Sequence, residues 1–462
     1  MNRIFTYILS SVIGACLMAL VSCSGSFLDQ YPGNDVVADN FYKDDNDFNQ
    51  AVRGCYSCVK SDIAFHLVEL SYRSDESNLT AMNVSTQDRY DLDHFCPLPN
   101  NSVLSQEWDL WYNGIYRCND VLLHLEGMTV DNGHRYRGEA LFLRAWFYFN
   151  LYRVFGVVPL TRTVVSADVA KNIARCTRED MRQLLIKDLR AAADLLPVKP
   201  DAERARVTSM AALALLAKVY LTFGDHQKAL EVLDEAMLNP NFGMEQSTAA
   251  VFDVNNKLNK EMIFAVYYNK SNGNGHSYWF GQSKNVFDEI DAPATDFRGL
   301  YDDNDNRKSL INVYIKIGTT YVPLKWYDEY DAVYVTQVGN DFPHLRYADV
   351  VLMRAEALAV TDVASALEWL NLTRVRAGLQ ELTAEDVPDH ETFILELAAE
   401  RGREFALEGQ RWFDLVRLGL AVDYFRAKGY SINDNDRIMP IPQNQIEIVN
   451  DKSILWQNPG YD

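Results

Sequence analysis

SMAALALLAKVYLTFGDHQKALEVLDEAMLNP, residues 209–240, is the stretch whose reading decides the fold. Apolar residues recur at spacings of three and four on both sides of Gly224-Asp225, which predicts two helices joined by a tight turn. Leu216, Ala217 and Tyr220 stand on the first helix, and Ala229, Leu233 and Ala236 line the second. Small residues let the paired helices approach closely, and large ones fill the groove between them. A pair of this kind cannot bury its apolar face alone, so further pairs must stack on it.

Further copies lie on either side. Ala145 and Tyr148, in the run EALFLRAWFYFNLYRVF (139–155), which is apolar on nearly every side, repeat the Ala217 and Tyr220 pairing. RYADVVLMRAEALAVTDVASALEWLNLTRVRAGL (346–379) places Ala366 and Leu370 in the roles of Ala229 and Leu233. Between them, Thr177 with Asp180 three positions on predicts a capped helix in TREDMRQLLIKDLRAAADLLP. The pattern matches the tetratricopeptide repeat, although the copies are not tandem. The reading is a mainly α chain: a helical-pair scaffold carrying a large irregular insertion of loops and short strands such as EMIFAVYY, about 241–345, with a second excursion about 60–105. Irregular segments held on a rigid frame are where binding residues concentrate.

With 48% apolar and 12% aromatic residues the chain can bury a large core, and no Gly/Ser-rich or Pro-rich linker divides it. A net charge of −20 argues against nucleic acid, which is bound by clustered Lys and Arg. Cys55-Tyr-Ser-Cys58 has metal-ligand spacing, but no second half-site follows, so no metal is expected. Cys55, Cys58, Cys96, Cys118 and Cys176 read as core cysteines or one disulfide. No nucleophile elbow, HExxH, Walker loop or dinucleotide fingerprint is present, and neither catalysis nor a cofactor is expected.

The first residues read as a leader: Arg3, an apolar run from Ile4 to Val21, then small residues. Leu20-Val21-Ser22-Cys23 resembles the lipobox of bacterial lipoproteins, which implies cleavage after residue 22 and a lipid anchor on Cys23. Residues 23–462 would then form a single domain.

An ordered series of motifs runs from SFLDQYP (26–32) through FLRAWFYFNLYRVFGVVPL, RVTSMAALALLAKVYL, FPHLRYADVVLMRAEAL and NLTRVRAGL to ERGREFALEGQRWFDLVRLG (400–419), IPQNQIEIVN and QNPGY. This series resembles the SusD/RagB family of Bacteroidetes surface lipoproteins. The resemblance implies a SusD-like fold in the outer membrane, lipid-anchored and exposed at the cell surface. It further implies capture of oligosaccharide, as in starch-binding members of polysaccharide-utilisation systems, or of peptide as in the RagB branch. The partner implied is a SusC-like TonB-dependent transporter.

The cluster Glu400, Arg401, Arg403, Glu404, Arg411 and Asp414 tempts a catalytic reading, but on a helix it forms ion pairs beside an apolar stripe, and in the family it ties the last helices to the scaffold. Arg346, Glu356, Asp305 and Arg307 read in the same way, as bracing. Trp108, Trp111, Trp146, Trp369 and Trp412 fall in helical motifs and are expected in the core. For ligand contact two loop regions remain. In 72–96 the candidates are Asp75, Tyr90 and His94, the first because family members draw a carboxylate contact from that position. In SNGNGHSYWFGQ (271–282), Tyr278 and Trp279 follow two glycines; neighbours on an extended chain alternate faces, so at least one ring should face outward. Trp326, in Lys325-Trp326-Tyr327, offers a further platform, with Lys325 on a strand packed against the scaffold.

Overall fold

A computed structural model describes residues 41–65, 73–76, 78–79, 87–200, 205–269, 282–283, 290–291, 295–317, 320–327 and 339–461. The chain divides into two compact units, Met1–Asp47 and Phe48–Asp462. Described helices include α1 (Asp45–Phe65), α2 (Gln87–Asp93), α3 (Ser102–His124), α4 (Gly133–Phe155), α5 (Arg178–Leu195), α6 (Ser209–Phe223), α7 (His226–Met237), α8 (Tyr347–Ala359), α9 (Val363–Arg376), α10 (His390–Glu404), α11 (Arg411–Arg417) and α12 (Ala421–Ala427). From α3 to α7 each helix packs on its successor, α7 packs on α8, and the stack continues through α9, α10 and α11. The helical-pair scaffold read from the sequence is the architecture found.

Local chemistry sets the boundaries. Gly224 turns the chain from α6 to α7 in the left-handed region, φ 84°, where a side chain is disfavoured, and Asp225 then caps α7 by accepting from the Lys228 N–H. Thr177 and Asp180 close the capping box expected at the start of α5. From Glu139 onward α4 is buried around nearly its whole circumference, which explains why apolar residues stand on nearly every side there, and Gly156 at φ 74° stops it. Ala217, Ala229, Ala366, Leu233 and Leu370 are all sealed inside, as the repeat reading requires.

α3 and α4 meet at Gly114, where an added methyl would collide with the Phe147 ring, itself fully buried. Gly114→Ala is therefore expected to destabilise the protein by about 1–3 kcal/mol through overpacking. The shift of the urea midpoint reads this directly; an unchanged midpoint would show that Phe147 can move aside.

In the insertion the described residues form short strands and short helices. β1 (Met262–Val266) pairs antiparallel with β4 (Phe342–Arg346), and β2 (Tyr314–Ile317) with β3 (Thr320–Pro323). Every residue of β1 and β4 is buried, so this ribbon belongs to the core and returns the insertion to the start of α8. Trp108, Trp111, Trp146 and Trp412 are buried as expected, and Trp369 packs partly buried against the α8–α10 core. No described helix is long and apolar enough to cross a membrane.

Candidate functional site

The charged motif near residue 400 forms a sealed network. Arg346 donates from Nη1 to Glu261 Oε1 at 2.7 Å and Glu404 Oε1 at 3.0 Å, and from Nε and Nη2 to both oxygens of Glu408 at 2.8 Å each. Arg307 spans Asp305, Glu400 and Glu404; Arg376 reaches Glu261 and Glu404. Lys325 donates to the Ala406 carbonyl at 2.6 Å and to Glu408 at 2.7 Å. Asp305 and Arg307 thus brace the insertion on α10, as read. Lys325 packs on the scaffold too, but within a 3-10 turn, Leu324–Trp326, rather than on a strand.

Burial disfavours the charged forms in this network. The surrounding Arg376, Arg346 and Arg307 outweigh it at Glu404, whose pKa is lowered; at Glu261 burial prevails and the pKa rises. Two carboxylates with divergent proton affinities can suggest acid–base chemistry. Both side chains are wholly buried, so no substrate reaches them, and their role is to tie β4, α9 and α10 together. Among the described residues no group of His, Cys, Asp or Glu is arranged to hold a metal ion.

Two of the expected contact residues are corrected by their surroundings. Trp326 has no exposed surface; its ring lies parallel to Phe342 at 5.8 Å between centroids and takes Phe252 edge-on at 5.3 Å. A ring covered on its faces offers nothing to a ligand. Asp75 is 7% exposed and receives Arg411 Nε at 2.9 Å and the Tyr424 hydroxyl at 2.5 Å. Burial works against its charge, yet Arg411 and these hydrogen bonds hold its pKa below the usual value. It joins the loop to α11 and α12. Tyr278, Trp279 and Cys23 lie outside the described residues.

Tyr90 and His94 behave differently. Tyr90 on α2 and His94 just past its end stand one turn apart, and their rings stack at 3.7 Å with an interplanar angle of 14°. His94 Nδ1 donates to the Tyr90 carbonyl at 3.0 Å, fixing the imidazole over the phenol. Both side chains are only half-buried. Tyr430, also half-buried and just beyond α12, meets His94 edge-on at 6.5 Å. Below them Phe95, held at φ 60°, touches Phe425, Tyr430 and Trp412. Arg73 covers Phe95 and Trp412 and donates to the Asp436 carbonyl at 2.6 Å. Asp88 fixes the start of α2 by accepting from the Ser102 N–H at 3.0 Å. The result is a rigid aromatic base carrying three partly exposed rings. Sequence reasoning missed Tyr430, because nothing local marks it: it comes from the far end of the chain.

A stacked-pair helical frame with irregular segments folded back onto it, its acidic cluster sealed and a ring platform left at the surface, defines a scaffold for binding. Two family models match the chain: one described as starch-binding associating with outer membrane, over residues 26–221, and the SusD family over residues 313–461. The chain belongs to the SusD/RagB family. A SusD-like protein of Formosa agariphila is 26% identical over 502 residues, covering 96% of this chain and 98% of that one. Among solved structures, a SusD-like protein from Bacteroides fragilis superposes with a TM-score of 0.78 at 21% identity, covering 94% of this chain and 100% of that one. A structure described as a laminarin-binding SusD-like protein gives a TM-score of 0.77 at 23% identity, with 91% and 100% covered. At these identities the superpositions bear on the fold.

Proposed function

We propose that the protein is a cell-surface glycan-binding lipoprotein that captures oligosaccharide and passes it to a SusC-like TonB-dependent transporter. The observation that carries the reading is the family match over most of the chain, whose first model describes starch-binding members associated with the outer membrane. The Tyr90–His94–Tyr430 platform supplies suitable chemistry: flat rings cover the C–H faces of a sugar while neighbouring polar groups meet its hydroxyls. Tyr278 and Trp279 are proposed as further ligand contacts. The protein acts by binding rather than catalysis, with no cofactor. Capture of peptide on the same architecture is the second reading.

Laminarin oligosaccharides are the first probe, because one structural relative is described as binding laminarin; a glycan array widens the search. Calorimetry is expected to give a Kd in the micromolar to millimolar range without turnover. Tyr90→Ala should weaken binding about tenfold, equivalent to about 1.4 kcal/mol. Silence across plant, host and microbial glycans, with protein-digest peptides bound instead, would turn the reading to the peptide branch.

Anchoring is proposed at Cys23 after removal of residues 1–22. Each buried acyl methylene contributes about 0.8 kcal/mol, and stable anchoring takes more than one chain. Cys23→Ser should move the protein from the membrane fraction to the soluble fraction of its native cells; retention in the membrane would reject the lipid site.

A further inference from the structure

We propose that a cavity lined by α3, α4 and α5 on the helical frame binds a small anionic ligand: a saccharide or similar polar body bearing a carboxylate or a sulfate. The cavity measures about 550 Å³, a size typical of small-molecule sites. The chain as a whole carries −20, yet the charge lining this space has the opposite sign.

Its floor is built and rigid. Arg144 donates from Nε and Nη2 to both oxygens of Asp188, at 2.7 and 2.9 Å, and from Nη1 to Asn119 Oδ1 at 2.8 Å and the Arg162 carbonyl at 3.2 Å. Asp188 is thereby neutralised, and four of the five N–H donors of Arg144 are occupied. What remains on the walls is Arg137 from α4, Lys187 from α5 and Arg162 from the loop after α4, facing a single further carboxylate, Glu126. Arg137 and Lys187 have no side-chain hydrogen bond or ion pair among the described residues, and Arg162 has no ion pair there.

Arg137, Arg162 and Lys187 line one concavity, and an excess of cations along a cleft attracts an anion into it. Guanidinium groups suit carboxylate and sulfate geometry because they present paired donors in one plane. Leucine side chains of α3, α4 and α5 complete the walls, so the ligand carries a body as well as a charge. None of these residues belongs to the Tyr90–His94–Tyr430 platform, and the inference stands independently of the proposed glycan capture.

The test is calorimetry on the full chain lacking its leader, titrated with glucuronate, with glucose 6-sulfate and with glucose. Binding of either anion, weakening as sodium chloride is raised, is the expected result, and the one that binds names the group. Glucose should give no heat at this site. Arg137→Gln combined with Lys187→Gln should lower the anion's affinity at least about tenfold. Both side chains lie at least partly exposed, so the variant should keep the parent's circular dichroism and its response to neutral glucans. Anions bound no tighter than glucose, or equally well by the double variant, would overturn the proposal. So would binding of an acidic peptide with the sugar acids inert, which would make the cavity a protein-docking site.

Discussion

Replacing Arg346 with methionine is expected to lower stability by about 3–5 kcal/mol, the cost of leaving buried carboxylates without their shared cation. Arg346 is 1% exposed and binds Glu261, Glu404 and Glu408 at once, with its remaining Nη2 contact on the Glu404 carbonyl at 3.0 Å. Arg376 and Lys325 would persist, but neither reaches all three acids. The stranded carboxylates gain stability by taking up protons, so the deficit should shrink as pH falls. Urea midpoints measured at pH 8 and pH 5 would read both effects. A variant as stable as its parent at pH 8 would show that the network is energetically neutral, as some buried ion pairs are against apolar replacements of similar volume.

Glu76→Gln is expected to remove one pH-dependent loss of stability from the fold. Glu76 is 1% exposed, its Oε1 accepts the Leu407 N–H at 3.1 Å, and Oε2 has no partner among the described residues. Burial first, and the neighbouring Asp75 carboxylate second, raise its pKa from 4.5 to about 8. The folded protein therefore keeps a proton that the unfolded chain releases. The associated stability is complete below the unfolded value and is lost as pH rises through that window toward about 8, reaching roughly 4–5 kcal/mol. Glutamine matches the neutral acid in shape and keeps an acceptor for Leu407. The variant should thus resemble the parent near pH 5 and exceed it at pH 8.5. Parallel stability curves for the two proteins would remove Glu76 as the titrating group.

How far the molecule was legible in its sequence differs by level. The helix pairs were read from spacing alone, because a helix places residues three and four apart on one face and the Ala/Leu pattern of 209–240 leaves few other ways to bury it. Caps were equally readable: Thr177 and Asp180, or Gly224 and Asp225, act within a few residues of themselves. The bracing role of the 400–419 motif and the core placement of the helical tryptophans followed from the family resemblance together with their helical setting. Asp75 and Trp326 were misjudged because a polar loop or an isolated ring carries no mark of what covers it. Arg411 and Tyr424 cover the first and Phe252 and Phe342 the second, all brought from elsewhere in the chain.

By itself, then, the order of amino acids determined the family, the stacked-pair frame, where its helices start and stop, and the acidic balance that sets nucleic acid aside. Tertiary structure alone decided which charges are sealed beneath Arg346, that Tyr430 joins Tyr90 and His94, and that Arg137, Arg162 and Lys187 surround one space. The physical reason is range: backbone periodicity and capping act over one or two turns, whereas burial and Coulomb energy depend on neighbours in space.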